Sequence, residues 1–217
     1  MRCHEHVAIV HRGEAAADWG AEFLAEGLHR GERCCCVVPP GGRRVVVSRL
    51  LQLGVEARGE NLQALQFPPE APSTGELLEW GKKLFAEAEA AGAAAVRWLE
   101  EGVWTGAADC SVAHFFELHS RLNYLVKQYP SVILCSYDWE RLEVATLFSA
   151  IAVHRHLLVE NTLVRDNPFY VPPEKLMAMN PEDREHDLRE IYREVGFDLH
   201  KLLAILAGYG QLQEPAT

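Results

Sequence analysis

The sequence predicts one α/β domain in which a mostly parallel sheet is sandwiched between layers of helices. Short apolar runs alternate along the chain with amphipathic segments, which is the order expected of strand–helix–strand units. The 217 residues are 48% hydrophobic, enough to bury one sizeable core. The run Val132-Ile-Leu-Cys135 has no polar position, which is typical of a strand buried on both faces of a parallel sheet.

Each apolar run predicts a strand because it is short and is bounded by turn residues. Pro39-Pro-Gly-Gly42 ends the second run, Pro68 and Pro69 close the third, and Pro130 precedes the fifth. The predicted strands lie at about 7–10, 33–38, 62–67, 94–99, 131–136 and 157–164.

The helices between these strands are predicted from apolar residues that recur every three or four positions. Gly27 and Gly31 end the first helix, Ser73 and Thr74 begin the third, and Asp109 caps the fourth. The predicted helices lie at about 14–29, 43–54, 73–92, 109–130 and 140–153.

The last part of the chain has a different character. After 167–173 the sequence becomes highly charged, yet it keeps one apolar stripe that predicts a C-terminal amphipathic helix over about 181–206. We therefore expect an α/β domain over 1–175 and a helical extension over 176–217. The helix could pack on the sheet domain, pair with its copy in a homodimer or dock a signalling partner. The stripe consists of Leu188, Ile191, Val195, Leu199, Leu202 and Leu206.

Composition limits the possible partners and the cellular compartment. Lys and Arg number 21 against 31 Asp and Glu, a formal charge of −10, which argues against a nucleic-acid-binding surface. No apolar run is long enough to span a bilayer, and the first residues do not have the layout of a signal peptide. Cys34, Cys35 and Cys36 are consecutive in an apolar run, so we expect reduced, buried thiols in a cytoplasmic protein.

The loops at the carboxyl ends of the strands are where a ligand is expected in such a sheet. The loop His11–Asp18 after the first strand has one glycine, no lysine and no hydroxyl, so it does not fit a phosphate-binding loop. Gly41, Gly42, Arg43 and Arg44 precede a helix and are candidates for anion binding. Together with Asp138, at the end of the fifth strand, they define an alternative function: a degenerate nucleotide-binding, ATPase-like protein.

Metal and nucleophile chemistry have weaker support in the sequence. Cys3-His4-Glu5-His6 and His154-Arg155-His156 contain metal-ligand types, but neither Cys-x-x-Cys nor His-Glu-x-x-His occurs. We therefore assign no metal and no cofactor. A Cys135 nucleophile with a His154 base is disfavoured because Cys135 lies in the most apolar strand, where a thiolate is costly. The protein is predicted not to be an enzyme.

A set of short motifs, by its order and spacing, resembles the MEDS domain, the methanogen/methylotroph DcmR sensory domain, over about residues 4–175. The resemblance implies a RecA/KaiC-like fold that has lost its phosphate loop. It also implies a sensory role in signal transduction or transcriptional control, with a small organic ligand. The motifs are His6, Gly27-Leu-His-Arg-Gly-Glu32, Arg97-Trp-Leu-Glu-Glu101, Leu134-Cys-Ser-Tyr-Asp138, His154 and Asn167-Pro-Phe-Tyr-Val-Pro-Pro173.

The resemblance also implies a ligand pocket at the carboxyl edge of the sheet. Arg97 and Glu101 could instead form an internal ion pair, and 167–173 could simply brace the last strand. Two positions depart from the family pattern, His11 in place of a Tyr and Glu100 in place of a Gly. The implied ligand residues are His6, Arg97, Glu101, Tyr137, Asp138, His154, Asn167 and Tyr170.

Together these observations predict a non-enzymatic sensory module that binds a small organic ligand and signals through its C-terminal helix to a partner or a second copy. The tail also shows a faint similarity to the phospho-acceptor helix of sensor histidine kinases, with His186 or His200 as the acceptor. No nucleic acid and no membrane is expected as a partner.

Overall fold

A computed structural model describes residues 3–13, 15–38, 42–57, 62–66, 74–101, 112–159, 161–180, 190, 193, 194, 196 and 198–212. Seven strands form one sheet in the order β3-β2-β4-β5-β1-β6-β7. All neighbouring strands are parallel except the last pair, which is antiparallel. The strands are β1 (Glu5–His11), β2 (Arg33–Val38), β3 (Leu62–Gln66), β4 (Val96–Glu101), β5 (Ser131–Asp138), β6 (His156–Val159) and β7 (Thr162–Val164).

The helices cover both faces of the sheet, so the predicted α/β class with a mostly parallel sheet is confirmed. They are α1 (Ala15–His29), α2 (Gly42–Gln52), α3 (Thr74–Ala90), α4 (Val112–Gln128), α5 (Val144–Val153), α6 (Pro173–Ala178) and α7 (Leu199–Leu212). Residues of α1 and α2 share one apolar core with the sheet, and we call that side the α1 face. Residues of the other five helices share a second core on the opposite side, the α4 face.

The segment 157–164, predicted as one strand, is instead a hairpin of β6 and β7. Asn161 lies in the connection with φ +69°, a left-handed conformation that Asn tolerates better than most residues. The polar pair Glu160-Asn161 in the middle of the apolar run was the signal for this turn.

Glycine allows α1 to lie close against the sheet. A Cβ at Gly27 would come within 2.5 Å of Arg97 Cδ and 2.8 Å of Cys34 Sγ, closer than real side chains allow. The helix can therefore approach β2 and β4 at this point only because Gly27 has no side chain.

The described part of the C-terminal helix packs on the sheet. Leu202 and Leu206, two members of the predicted apolar stripe, are fully buried in the α4-face core, where α7 lies against β7 and β6. Ile205, on the other side of α7, is 42% exposed. The predicted single helix over about 181–206 is interrupted, because Gly196 lies in a turn with φ +70° and α7 begins at Leu199 and ends at Leu212. Residues 181–189, where we predicted the start of this helix, lie outside the described residues. No helix among the described segments is long and apolar enough to cross a membrane.

Candidate functional site

A cluster of polar side chains lies buried beneath the middle of the sheet on its α4 face. It contains His6 of β1, His119 of α4, Cys135 of β5 and His154, the residue that follows α5. One nitrogen or sulfur atom from each of the four side chains lies within 4.8 Å of the others. We call these four residues the His–Cys cluster.

Strand register explains why His6 and Cys135 meet. In the parallel pair β1–β5, His6 is aligned with Ile133 and Ala8 with Cys135, so both side chains point to the α4 face. The distance from His6 Nε2 to Cys135 Sγ is 3.4 Å. The other nitrogen of that ring, Nδ1, lies 3.3 Å from the side-chain oxygen of Asn123.

Packing of α4 against α5 supplies the other two histidines. Asn123 donates hydrogen bonds from its amide to the carbonyls of His119 and Val153, both at 2.9 Å, and so ties the two helices together. His154 Nδ1 donates to the carbonyl of Ala150 at 2.7 Å. Asn167 donates to the carbonyl of His154 at 3.0 Å and thereby fixes the backbone of this residue.

Within the His–Cys cluster, His119 lies between Cys135 and a buried acid, Glu100. Its Nδ1 is 3.9 Å from Cys135 Sγ, and its Nε2 is 3.4 Å from Oε1 of Glu100. Both side chains have no solvent exposure. The orientation of the ring therefore places one nitrogen toward the sulfur and the other toward a carboxylate.

Burial sets the charge state of the cluster. It lowers the pKa of His6 and of His154 well below that of free imidazole, and the neighbouring histidines lower both further. Burial raises the pKa of the Cys135 thiol well above its usual value, an effect that the nearby Glu100 strengthens and a hydrogen bond with Tyr137 opposes. His6 and His154 are therefore neutral and Cys135 is protonated at pH 7.

Among the predicted ligand residues, the structure brings His6, Tyr137 and His154 together. Tyr137 is fully buried, and its ring centroid lies 5.7 Å from that of His154 and 6.3 Å from that of His119. Sequence reasoning did not include His119, Glu100 or Asn123 in the site. The available signals were a histidine on the apolar stripe of α4 and the departure from the family pattern at position 100.

Arg97 is placed on the α1 face, away from Tyr137 and the His–Cys cluster. Its guanidinium pairs with Glu32 and Glu26 and donates to the carbonyl of Phe23 at 2.9 Å. The alternative internal pairing was therefore right in kind, but its partners are these two acids and not Glu101. Glu101 ends β4, and burial raises the pKa of its carboxyl group.

Asp138 acts in the turn at the carboxyl end of β5. Its Oδ1 accepts hydrogen bonds from the backbone N–H groups of Gly13 and Glu140, at 3.2 and 3.1 Å. The Gly13 N–H, in the loop where a phosphate loop would lie, is thus occupied by a carboxylate. Arg12 of the same loop pairs with Glu140 at 2.7 Å.

The remaining predicted residues are spread along the chain. Asn167 is buried and donates to the carbonyls of Ile151 and His154 at the end of α5, whereas the alternative interpretation expected 167–173 to brace the last strand. Tyr170 is half-buried, and its pKa is raised to about 12, mainly by burial. Arg43 and Arg44 are exposed in the first turn of α2 beside the buried Gly42. Gly41 lies outside the described residues.

The potential metal ligands considered from sequence also separate. Cys3 is exposed, His4 Nδ1 contacts the carbonyl of Val126 at 2.8 Å, and His156 Nδ1 accepts from the N–H of Asp166 at 3.4 Å. Only His6 and His154 of that set reach the cluster.

A parallel α/β domain with a polar cluster buried beneath its central strands is the kind of protein that the fold and the site define. The family model of the MEDS domain, the methanogen/methylotroph DcmR sensory domain, matches residues 5–155. The chain therefore belongs to the MEDS family, a family of sensory domains, and the resemblance inferred from the sequence is confirmed. No curated protein matches the chain.

Proposed function

We propose that the chain is a non-enzymatic sensory module whose input is the His–Cys cluster and whose output is the C-terminal helix α7. The observation that carries this proposal is the short structural path between the two. Cys135 and Tyr137 lie on β5, and two residues later the ring of Trp139 contacts the ring of His200 on α7, with centroids 4.7 Å apart.

A second path runs through the β6–β7 hairpin. His154 lies two residues before the start of β6, and α7 packs against both strands of the hairpin. A ligand that shifts His154 therefore acts on the surface that holds α7. For the helix to report occupancy, the ligand must bind its two arrangements with different affinity.

The proposed ligand is a small molecule or ion that the polar groups of the α4 face can bind. His6, Tyr137 and His154 are the predicted ligand residues that we assign to this role. We assign Arg97 to a structural role because its donors are already directed at Glu32, Glu26 and Phe23.

Two features support a non-enzymatic role within a RecA/KaiC-like scaffold. β1 lies inside the sheet, but the loop that follows it is short and its Gly13 N–H is bonded to Asp138. Cys135 is fully buried and its thiol pKa is raised, so it is a poor nucleophile.

The partner that receives the signal would bind within 181–206, either on the outer side of α7 or on the segment before this helix. It would be a signalling protein in signal transduction or transcriptional control, or a second copy of this chain. The exposed Ile205 marks the outer side of α7. The free, consecutive thiols of β2 favour a cytoplasmic location for the module.

Hydrogen exchange of residues 199–212 tests the proposal. Small organic compounds, metal ions and ATP with Mg²⁺ are first screened by thermal shift, and exchange is then compared with and without each compound that stabilises the protein. We expect a saturating input ligand to change protection in α7. Trp139→Leu should keep binding and reduce that change, whereas Ile205→Ala, on the outer side, should leave it intact.

Unchanged protection of α7 at saturation would refute signalling through this helix. Stabilisation by ATP with Mg²⁺ that is lost in Arg43→Ala and Arg44→Ala would favour the nucleotide-binding alternative instead.

A further inference from the structure

We infer that His6, His119, Cys135 and His154 bind a divalent transition metal ion of the zinc type, with three imidazole nitrogens and one thiolate as ligands. The inference names the ligand of the proposed input site, so its signalling role rests on the proposed function. The binding itself does not, because the geometry of the four donors supports it independently.

The donor atoms already lie near the positions that a tetrahedral ion requires. Bond lengths of about 2.0–2.1 Å to nitrogen and 2.3 Å to sulfur place neighbouring ligand atoms about 3.3–3.6 Å apart. Cys135 Sγ is 3.4 Å from His6 Nε2 and 3.9 Å from His119 Nδ1. All four donors lie within 4.8 Å of one another, so contraction of the widest pair by at most about 1.2–1.5 Å completes the shell.

The outer contacts of the three rings are those that metal-binding histidines make. Such rings almost always hold their second nitrogen against a carboxylate, an amide or a backbone carbonyl, which fixes the ring orientation. Here His6 Nδ1 faces Asn123 Oδ1, His119 Nε2 faces the Glu100 carboxylate, and His154 Nδ1 donates to the Ala150 carbonyl. Each ring therefore has its other nitrogen directed at the cluster.

One buried group independently indicates that a cation is needed. His154 Nε2 is fully buried and has no hydrogen-bond partner among the described residues, and its ring centroid lies 4.1 Å from that of His6. Because Nδ1 of the same ring donates to the carbonyl of Ala150, Nε2 is an acceptor, and a buried acceptor without a partner is costly.

A divalent ion resolves this problem. It accepts the lone pair of His154, and the thiolate of Cys135 balances part of its positive charge. Binding replaces the S–H bond by a metal–sulfur bond and releases one proton to solvent, so metal uptake is proton-coupled.

The donor set selects among metals. A thiolate with three imidazoles favours zinc, cobalt and copper over magnesium and calcium, which prefer oxygen. Four protein ligands leave no open position for a substrate, which is the arrangement of a structural or sensing site. The site therefore agrees with a non-enzymatic role.

Cobalt titration of the chelator-treated full chain tests the site, because Co²⁺ reports its ligands by colour. We expect one equivalent to bind, with a thiolate-to-cobalt charge-transfer band and the intense visible bands of four-coordinate cobalt, and we expect Zn²⁺ to displace it. Cys135→Ser should remove the charge-transfer band, whereas Cys3→Ser and His156→Gln are matched controls that should not.

Two further measurements extend the test, and the first uses only the wild-type protein, so it does not depend on the folding of a variant. X-ray absorption of the wild-type zinc form should show three nitrogens at about 2.0–2.1 Å and one sulfur at about 2.3 Å. Asn123→Ala, which removes the outer contact of His6 together with the two hydrogen bonds that join α4 to α5, should weaken zinc binding by at least about 10- to 100-fold. An oxygen-only shell, or binding that is lost in Cys3→Ser and kept in Cys135→Ser, would overturn the inference.

Comparison with hydrogen exchange separates this inference from the proposed function. Zinc that binds at the cluster but leaves residues 199–212 unchanged would support the metal site and refute its signalling role. Failure to bind zinc or cobalt, with α7 responding to an organic compound, would overturn the metal site and leave the sensory proposal standing.

Discussion

Replacing Arg97 by leucine should strongly destabilise the fold, because it removes the cation from a buried ion pair. The Arg97 side chain is 2% exposed and that of Glu32 is 10% exposed, so the glutamate would remain buried without its partner. Breaking such a pair costs about 3–5 kcal/mol. Glu26 is 44% exposed, so loss of its contact adds less than about 1 kcal/mol because water can replace the guanidinium.

The measurements are urea unfolding and thermal unfolding of Arg97→Leu, Glu26→Gln and the double variant Arg97→Leu with Glu32→Leu. At about 2–4 °C per kcal/mol for a chain of this size, the single arginine variant should lose about 6–20 °C in Tm. The double variant should regain most of the lost stability, since an apolar pair replaces the ion pair. A loss below about 1 kcal/mol in Arg97→Leu, with no gain in the double variant, would refute the structural role and return Arg97 to the list of ligand residues.

Three more predictions concern α7, α1 and the acid stability. Leu202→Ala should cost about 2–5 kcal/mol, since it leaves a cavity under α7, whereas Ile205→Ala on the exposed side should change stability by less than about 0.5 kcal/mol; equal effects in urea unfolding would contradict the packing of α7. Gly27→Ala should lower the free energy of unfolding by about 1–3 kcal/mol, because its Cβ meets the side chains of Cys34 on β2 and Arg97 on β4. Gly208→Ala, whose Cβ meets nothing within 4 Å, should instead raise that free energy by up to about 1 kcal/mol. An unchanged stability of Gly27→Ala would show that α1 can move away from the sheet. Hydrogen bonding to the guanidinium lowers the pKa of Glu26, so this carboxylate stabilises the fold above its unfolded pKa and the contribution is lost as the pH falls through its folded pKa; the stability difference between wild type and Glu26→Gln should therefore shrink from pH 7 to pH 3, and a constant difference would contradict the hydrogen bond.

Local signals in the sequence were sufficient for most of the fold. Short apolar runs gave the positions of β1 to β5, and helical periodicity gave α1 to α5, because both depend on neighbours along the chain. The β6–β7 hairpin was merged into one strand because apolar residues continue on both sides of Asn161. The order of the strands could not be read locally, since it depends on which distant segments pair.

The candidate site was harder to predict than the fold, because it too depends on contacts between distant segments. Resemblance to the MEDS family placed His6, Tyr137 and His154 in one site, but it also placed Arg97 there. In an extended strand, neighbouring residues face opposite sides of the sheet, so Arg97 and Glu100 belong to different faces although they lie three residues apart. His119 lies among apolar residues at helical spacing in the sequence, and such a pattern predicts burial but not what the buried group contacts.

The apolar strand around Cys135 explains why no chemical role was predicted for this residue. A thiol in an apolar strand is usually a small hydrophobic group, and the burial that raises its pKa makes it a poor nucleophile. Cys135 stays protonated in the metal-free protein, because a buried thiol ionises only when a cation is nearby. Apolar residues at the positions of His6 and His154 would give a more stable core than two buried, neutral imidazoles. A bound divalent ion removes that disadvantage, so the fold should be markedly more stable with zinc than without it, and occupancy of the cluster can thereby control how firmly β5 and the β6–β7 hairpin hold α7.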